Sequence, residues 1–531
     1  MGLQNLMRFM HMQRQRDQQR RRQDPPIGLI ASRAKRKGSP CQQDDDSQND
    51  QLEIQSGPTL PEDIWHHIRS LMPMRDSARV ACVSRAFLHS WRCHPNLTFS
   101  YTTFGLNTKA YGKDELAGVF YGKVDHILQR HSGIGVKKLK IQTGSHYSAK
   151  DSYYLNSWLQ IAVTPGIEEL TLMLCTMKAK YNFPYTLLSN GSGDSIQYLH
   201  LSSCSFHPTD ALGPLRSLTR LHLNLVHITG DELGCFLSRS FALERLEVRY
   251  CDRIVCLKVP CLLQRLCYLE VFGCGRLKVI NNEAPNLTSF QFEGDTTVQL
   301  SFGETLQMKK LNMYRSGAVF YARAELPSSM PNLEALTVSS RSEVAYAPIL
   351  HSKFLHLKYL SISLNGAPFS PAYDYLSLAS FLDAAPILES FHLDVFQRFM
   401  ENVSIFASPS ELRCIQGGHH HKLKRVRING FCSAKSLVEL TCHVLQHVMS
   451  LEYLTLEAPQ SSWKCSEPEN KSGKCFPMVR DILMEAQSAV LAIREYIEPK
   501  VPSTVKLRVL EPCSCHDLDS EFELYVFLDG P

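Results

Sequence analysis

A short apolar pattern, L-x-x-L-x-L-x-x-C, recurs along this chain and constrains its fold more than any other feature. It reads IEELTLMLC up to Cys175, IQYLHLSSC up to Cys204, LERLEVRYC up to Cys251 and LCYLEVFGC up to Cys274. Nine weaker copies without the Cys lie at 136–141, 218–223, 287–292, 308–313, 333–338, 357–362, 388–393, 423–428 and 451–456. Counted from Leu139, Leu170, Leu199 and their successors, the steps are 21 to 35 residues, most of them 21 to 29. Each L-x-L predicts a short strand with its two apolar side chains inward and the residues between them in solvent. One copy cannot bury its own apolar face, so thirteen copies predict units stacked side by side. The closing Cys, or Asn as at Asn365, can turn inward where the chain leaves the strand, and a Cys there acts as a small buried hydrophobe.

That pattern and step length define leucine-rich repeats. The predicted fold class is α/β: a small three-helix module followed by a solenoid built on a curved parallel sheet. A chain of 531 residues is too long for one ordinary core, and 44 % apolar with 21 % charged residues fits a folded protein. The net charge of +5 is misleading until it is located. Residues 1–40 hold eight Arg and two Lys against two Asp, a net of +8, and the other 491 residues carry 47 basic and 50 acidic groups, a net of −3. The folded body lacks the basic excess of a nucleic-acid-binding domain, so no nucleic-acid partner is expected. The opening residues are too polar for a secretory signal and no run reaches the roughly 18 apolar residues of a membrane span. A nuclear or cytoplasmic protein, without a membrane partner, is the expectation.

Residues 1–56 are rich in Gln, Arg, Asp and Ser without a hydrophobic period, which predicts disorder. Two basic clusters within them, Arg20-Arg21-Arg22 and Arg33 with Lys35, Arg36 and Lys37, resemble a two-part nuclear localisation signal or form a solvated basic tail. Residues 58–92 differ. Pro61 fits a first helical turn, and Glu62 and Asp63 face the positive end of the helix dipole. Ile64, Ile68 and Leu71 then make one apolar stripe, and Pro73 stops the helix. Val80, Val83, Phe87 and Trp91 make a second stripe, with Ser84 able to cap a third helix. So small a bundle is marginal unless it docks on something.

Signals for catalysis are missing. There is no C-x-x-C pair, no phosphate loop, no nucleophile elbow and no kinase signature. Cys513-Ser-Cys515-His516 has the wrong spacing for a zinc ribbon, and His419-His420-His421 reads as an exposed polar loop. No metal, no cofactor and no catalytic residue are expected.

The stretch LPEDIWHHIRSLMPMRDSARVACVSRAFLHSW resembles the F-box motif: Leu-Pro, an acidic pair, an aliphatic helix, then V-x-C-V-S-R. The order F-box then repeats resembles the large plant family joining the two. Residues 423–457 look like its FBD-like C-terminal part, and 489–513 like the end of its grass members. The resemblance implies a tail at 1–56, an F-box at 57–97, a linker and N-terminal cap at 98–134, a solenoid at 135–460 including the FBD-like part, and a helix-strand cap and tail at 461–531. It also implies a non-enzymatic substrate receptor of a cullin-based, SCF-type ubiquitin ligase. Leu60, Pro61, Ile64, Leu71, Val80, Val83 and Phe87 would face a Skp-family adaptor or support that surface, Ile68, Val83 and Phe87 being equally suited to filling the bundle core. His66 and His67 depart from the aliphatic residues common in that first helix. The unknown substrate protein would lie on the solvent-facing strand positions, among them Tyr198, His200, Arg220, His222, Arg245, Arg249, Tyr268 and Phe272. An interaction scaffold, or a small-molecule receptor without ligase assembly, is the alternative.

Overall fold

The computed structural model describes residues 61–512, apart from 83–84, 107–111, 133–134, 145–150, 176–180, 190, 304–305, 344–346, 348–351, 366–372, 397–401, 408–410, 416–417, 419 and 460–479. The basic clusters of the tail, Leu60, Val83 and Cys513–His516 lie outside the described residues. Three helices come first: α1 (Glu62–Leu71), α2 (Met74–Ala81) and α3 (Arg85–Arg92). After strand β1 (Asn96–Phe99) and helix α4 (Lys113–Leu128), the chain runs through a single sheet of fifteen strands.

Thirteen of these strands are the repeats read from the pattern. They are β2 (Lys138–Gln142), β3 (Glu169–Met173), β4 (Tyr198–Ser202), β5 (Arg220–Asn224), β6 (Arg245–Arg249), β7 (Tyr268–Phe272) and β8 (Ser289–Glu293). β9 (Lys310–Tyr314), β10 (Ala335–Ser340), β11 (Tyr359–Asn365), β12 (Ser390–Phe396), β13 (Arg425–Asn429) and β14 (Tyr453–Glu457) follow. The sheet also extends past the expected limits of 135 and 460. β1 pairs with β2, and β15 (Lys506–Leu510) pairs with β14. β1 therefore straddles the expected boundary between module and linker at 97/98.

Each strand lies between its neighbours in sequence, parallel and in register. Leu199, Leu221, Leu246, Leu269, Phe290, Leu311, Leu336 and Leu360 form one continuous row across eight strands. All eight are 1 % exposed or less. A fully buried Leu or Phe contributes about 1.5–3 kcal/mol, so the rows dominate stability. The shortest steps have no room for a helix on the return. The short steps from Leu246 to Leu311 return through strands Cys256–Val259, Val279–Asn282 and Gln299–Phe302, which make a second parallel sheet. Several longer steps return through helices, as at Gly230–Leu237, Ala318–Ala324 and Lys435–His447, whereas the longest among the thirteen, from Phe391 to Val426, has no helix among its described residues. The cause is reach: a strand advances about 3.3 Å per residue and a helix about 1.5 Å.

The turn out of the strand has its own constraint. Ser203, Leu225, Tyr250, Gly273 and Gly430 each follow the last strand residue, and each has φ between 54° and 68°. At the first four, the N–H donates to the carbonyl of the last strand residue one repeat on, at 2.8–3.1 Å. The turn thereby carries the sheet's hydrogen bonding one residue past the strand. It also sends the next side chain inward: Cys204, Val226, Cys251, Cys274 and Phe431 are all buried. Cys175, expected to turn inward likewise, stays half-buried.

The helices are fastened to the first strand. Met74 of α2 belongs to the solenoid's core, and its Sδ accepts from the Thr98 N–H at 3.2 Å. Asn96 Nδ2 donates to Ser70 O at 3.1 Å. His94, 2 % exposed, accepts from the Asn96 N–H through Nδ1, and its Nε2 lies 3.2 Å from Met72 O, which it can reach only as a donor.

A Cβ at Gly430 would lie 1.9 Å from Val395 O, in a left-handed conformation. Gly430→Ala is expected to cost about 3 kcal/mol, read as a lower urea midpoint. Gly118→Ala, in α4 with nothing within 4 Å of the new Cβ, should instead leave the midpoint unchanged or raise it. Equal effects would mean that the turn is not strained as described.

Candidate interaction surfaces

Side chains at the first, third and fifth strand positions share the open face of the sheet. Register gathers all eight expected substrate-side residues onto four adjacent strands, β4 to β7. Tyr198, Arg220, Arg245 and Tyr268 form the first row. His200, His222, Glu247 and Glu270 form the second. Ser202, Asn224, Arg249 and Phe272 form the third.

The rows are knitted together. The Arg220 guanidinium lies 4.7 Å from the Tyr198 ring centre, and that of Arg245 lies 3.8 Å from the Tyr268 ring centre. Arg245 Nε donates to Glu247 at 2.5 Å. Arg249 lies 2.6 Å from Glu270, a close ion pair without hydrogen-bond alignment at that oxygen. The Tyr268 hydroxyl donates to Glu270 Oε2 at 2.6 Å. Burial, reinforced by that carboxylate, raises the Tyr268 pKa. Arg245 and Arg249 face Glu247 and Glu270, and Arg220 lies 3.8 Å from Glu169 of β3, so the face combines aromatic and guanidinium surface with little net charge. Such a mixture suits a protein partner.

His200 is not in solvent, contrary to expectation. It is 9 % exposed and stacks on His222 with ring centres 4.1 Å apart and planes 2° from parallel. Burial, then His222, Lys140 and Arg249, push its pKa down to about 3. Burial also lowers the pKa of His222, with Glu247 opposing. Both rings are therefore neutral near pH 7. Glu270, 1 % exposed, is likewise covered on the open face by Tyr268 and Arg249.

Two further residues join the face, Arg427 at the third position of its repeat, as the pattern implies, and Arg341 without any sequence signal. Arg341 follows β10 yet reaches back to the Tyr314 hydroxyl at 2.5 Å and to Glu293 at 3.4 Å. Arg427 joins Asn429 at 2.7 Å and Glu457 at 2.9 Å. The loop expected at His419–His421 is also different. His420 is 7 % exposed, donates its N–H to His447 O at 2.9 Å and lies 3.5 Å from Asp383, while His421 is exposed. Among the described residues no group of His, Cys, Asp and Glu is placed to hold a metal ion, and no helix is long and apolar enough to cross a membrane.

The second surface is on α1. Ile64, Ile68 and Leu71, one stripe at helical spacing, are 42 %, 38 % and 72 % exposed. Leu88 of α3 is 38 % exposed, Pro61 is exposed and Val80 is half-buried. Ile68, suited on sequence to the bundle core, faces solvent instead. Phe87 falls on α3.

A parallel sheet of stacked repeats with a mixed open face, preceded by a small helical module, defines a leucine-rich-repeat protein. The chain belongs to the family described as At1g61320/AtMIF1, LRR domain, whose model matches residues 127–514. It is similar to three proteins of Arabidopsis thaliana. The F-box/FBD/LRR-repeat protein At4g03220 is 24 % identical over 237 residues, 43 % of this chain and 45 % of that protein. The F-box/LRR-repeat protein At5g02910 is 25 % identical over 202 residues, 38 % and 39 % of the two chains. The F-box protein At5g03100 is 26 % identical over 196 residues, 37 % and 56 %. The match thus spans about half or less of each relative's length.

The buried imidazole makes stability depend on pH. The unfolded side chain takes up a proton near 6.5 and the folded one only near 3. Between those values the unfolded state holds more protons, so stability falls as pH falls below about 6.5. From pH 7 to 5 the wild type should lose about 2 kcal/mol more than His200→Gln, measured by urea unfolding of both. Parallel losses would show that His200 is protonated without cost.

Proposed function

We propose that this chain is a substrate receptor of a cullin-based ubiquitin ligase. Its helical module docks on a Skp-family adaptor and its open sheet face holds a substrate protein. The exposed stripe Ile64, Ile68 and Leu71 carries this reading: the repeats bury their apolar rows almost completely, whereas α1 presents its own to solvent. The F-box names of the relatives and the mixed chemistry of the face support it. The chain itself makes and breaks no covalent bond. It raises the effective concentration of a bound protein near a ubiquitin-charged enzyme, and orientation supplies the rate. The basic clusters at Arg20–Arg22 and Arg33–Lys37 suit entry into the nucleus.

The test is capture of a purified Skp-family adaptor by the full chain and by Ile64→Asp. Ile64 is 42 % exposed, so the variant should keep its circular dichroism and melting temperature. A carboxylate buried at an apolar interface should weaken capture by about a hundredfold or more. Capture by neither protein, with the repeats folded, would leave an interaction scaffold that does not assemble a ligase.

A further inference from the structure

Helices α2 and α4 face each other across a cleft of about 660 Å³ that neither the adaptor stripe nor the open sheet face uses. Its walls are apolar: Met74 and Ala78 from α2, Trp91 from α3, Phe104 from the turn after β1, Val119 and Ile127 from α4. Its charged groups are all basic. Arg75 and Arg79 stand on one wall, with Lys123 opposite beside the His126 ring, whose Nε2 accepts from Arg130 at 2.6 Å, and among the described residues no carboxylate lines the cleft. Arg79 has only a 3.3 Å contact with exposed Asp76, which is weak in water. Lys123 lies 5.6 Å over the Phe104 ring, directly beside the apolar wall.

Gly122 adds an independent observation. It sits inside α4 without the positive φ that favours glycine, and an added Cβ would meet nothing within 4 Å. Helix propensity disfavours glycine there, and neither backbone nor packing requires it. A large side chain at this position would take up space in the cleft it lines.

We propose that this cleft binds a small amphipathic acid, an apolar body of metabolite size carrying one carboxylate. The volume is that of small-molecule sites, the walls take the body, and Lys123 with Arg79 takes the head as a charge-assisted pair. Because one wall belongs to the helical module and the other to α4, an occupant braces the two together and raises the melting temperature.

The test uses the full chain and the fluorescent apolar anion 8-anilinonaphthalene-1-sulfonate, displaced by decanoate or by decanol. Saturable one-site binding is expected, with decanoate displacing the probe about tenfold better than decanol. Gly122→Phe should fill the cleft and weaken binding at least about tenfold with unchanged circular dichroism. Lys123→Glu, a surface change that leaves folding intact, should abolish the preference for decanoate over decanol. Equal displacement by acid and alcohol, binding untouched by Gly122→Phe, or no saturable binding by the wild type would each overturn the proposal. Loss of adaptor capture in Gly122→Phe without probe binding by the wild type would overturn it too, by assigning the cleft to a protein contact.

Discussion

The parallel register of neighbouring repeats is what the rest of the molecule depends on. Each strand satisfies its backbone groups on the strands before and after it, and stacks its two inward side chains on theirs. Neither set of contacts exists within a single repeat, so the array is stable only as a stack and its ends are exposed to the same requirement. At the N-terminal end that requirement is met by the helices. Leu97 and Phe99 of β1 are 1 % and 0 % exposed, as well covered as residues in mid-array. Met74 and its neighbours of α2 pack there. At the other end, Leu507 and Val509 of β15 are only half-buried. The helical module is thus a structural cap on one side and an open apolar stripe on the other.

The open face follows from the same register. Identical spacing puts Arg, Glu, His and Tyr from successive strands within contact of each other. A buried guanidinium–carboxylate pair gains little net stability once desolvation is counted, but removing one partner is costly. The Arg249–Glu270 contact therefore does more to hold positions than to add stability. With Tyr268 anchored on Glu270, Arg245 lying over Tyr268, and the neutral His200–His222 stack beside them, the side chains are set before a partner arrives. Less conformational entropy is then lost on binding.

Most of this was readable in the residues, and the failures have causes. The thirteen repeats were legible because alternation of period two plus a fixed step is a strong signal. β1 and β15 were not, because the steps from Leu97 to Leu139 and from Leu454 to Leu507 exceed the range of all the others. Membership of the open face was legible for Tyr198, Arg220, Arg245 and Tyr268. The burial of His200 was not, since it depends on which ring stands beside it on the next strand. Arg341 lay beyond any local pattern, because its partners Tyr314 and Glu293 come from two earlier repeats. His420 looked like loop because flanking glycines describe the backbone, whereas its burial is decided by Asp383 and His447.

How the module is joined to the repeats matters to the proposed role. A receptor that works by proximity gains only if the bound protein is held in a restricted orientation to the adaptor surface. Here the joint is rigid by hydrogen bonding. His94 is wedged between α1 and β1 with both ring nitrogens in use, Nδ1 accepting from Asn96 and Nε2 donating to Met72. Its carbonyl accepts from His131 Nε2 at 3.0 Å, and Arg92 O accepts from the Ser132 N–H at 2.8 Å. Only a neutral imidazole can accept and donate at once, since a protonated ring has no lone pair left for the Asn96 N–H. Burial lowers the pKa of His94 and so favours the form that the joint requires. The desolvation that makes this histidine costly to bury is therefore also what favours the hydrogen bonds that join α1 to the sheet.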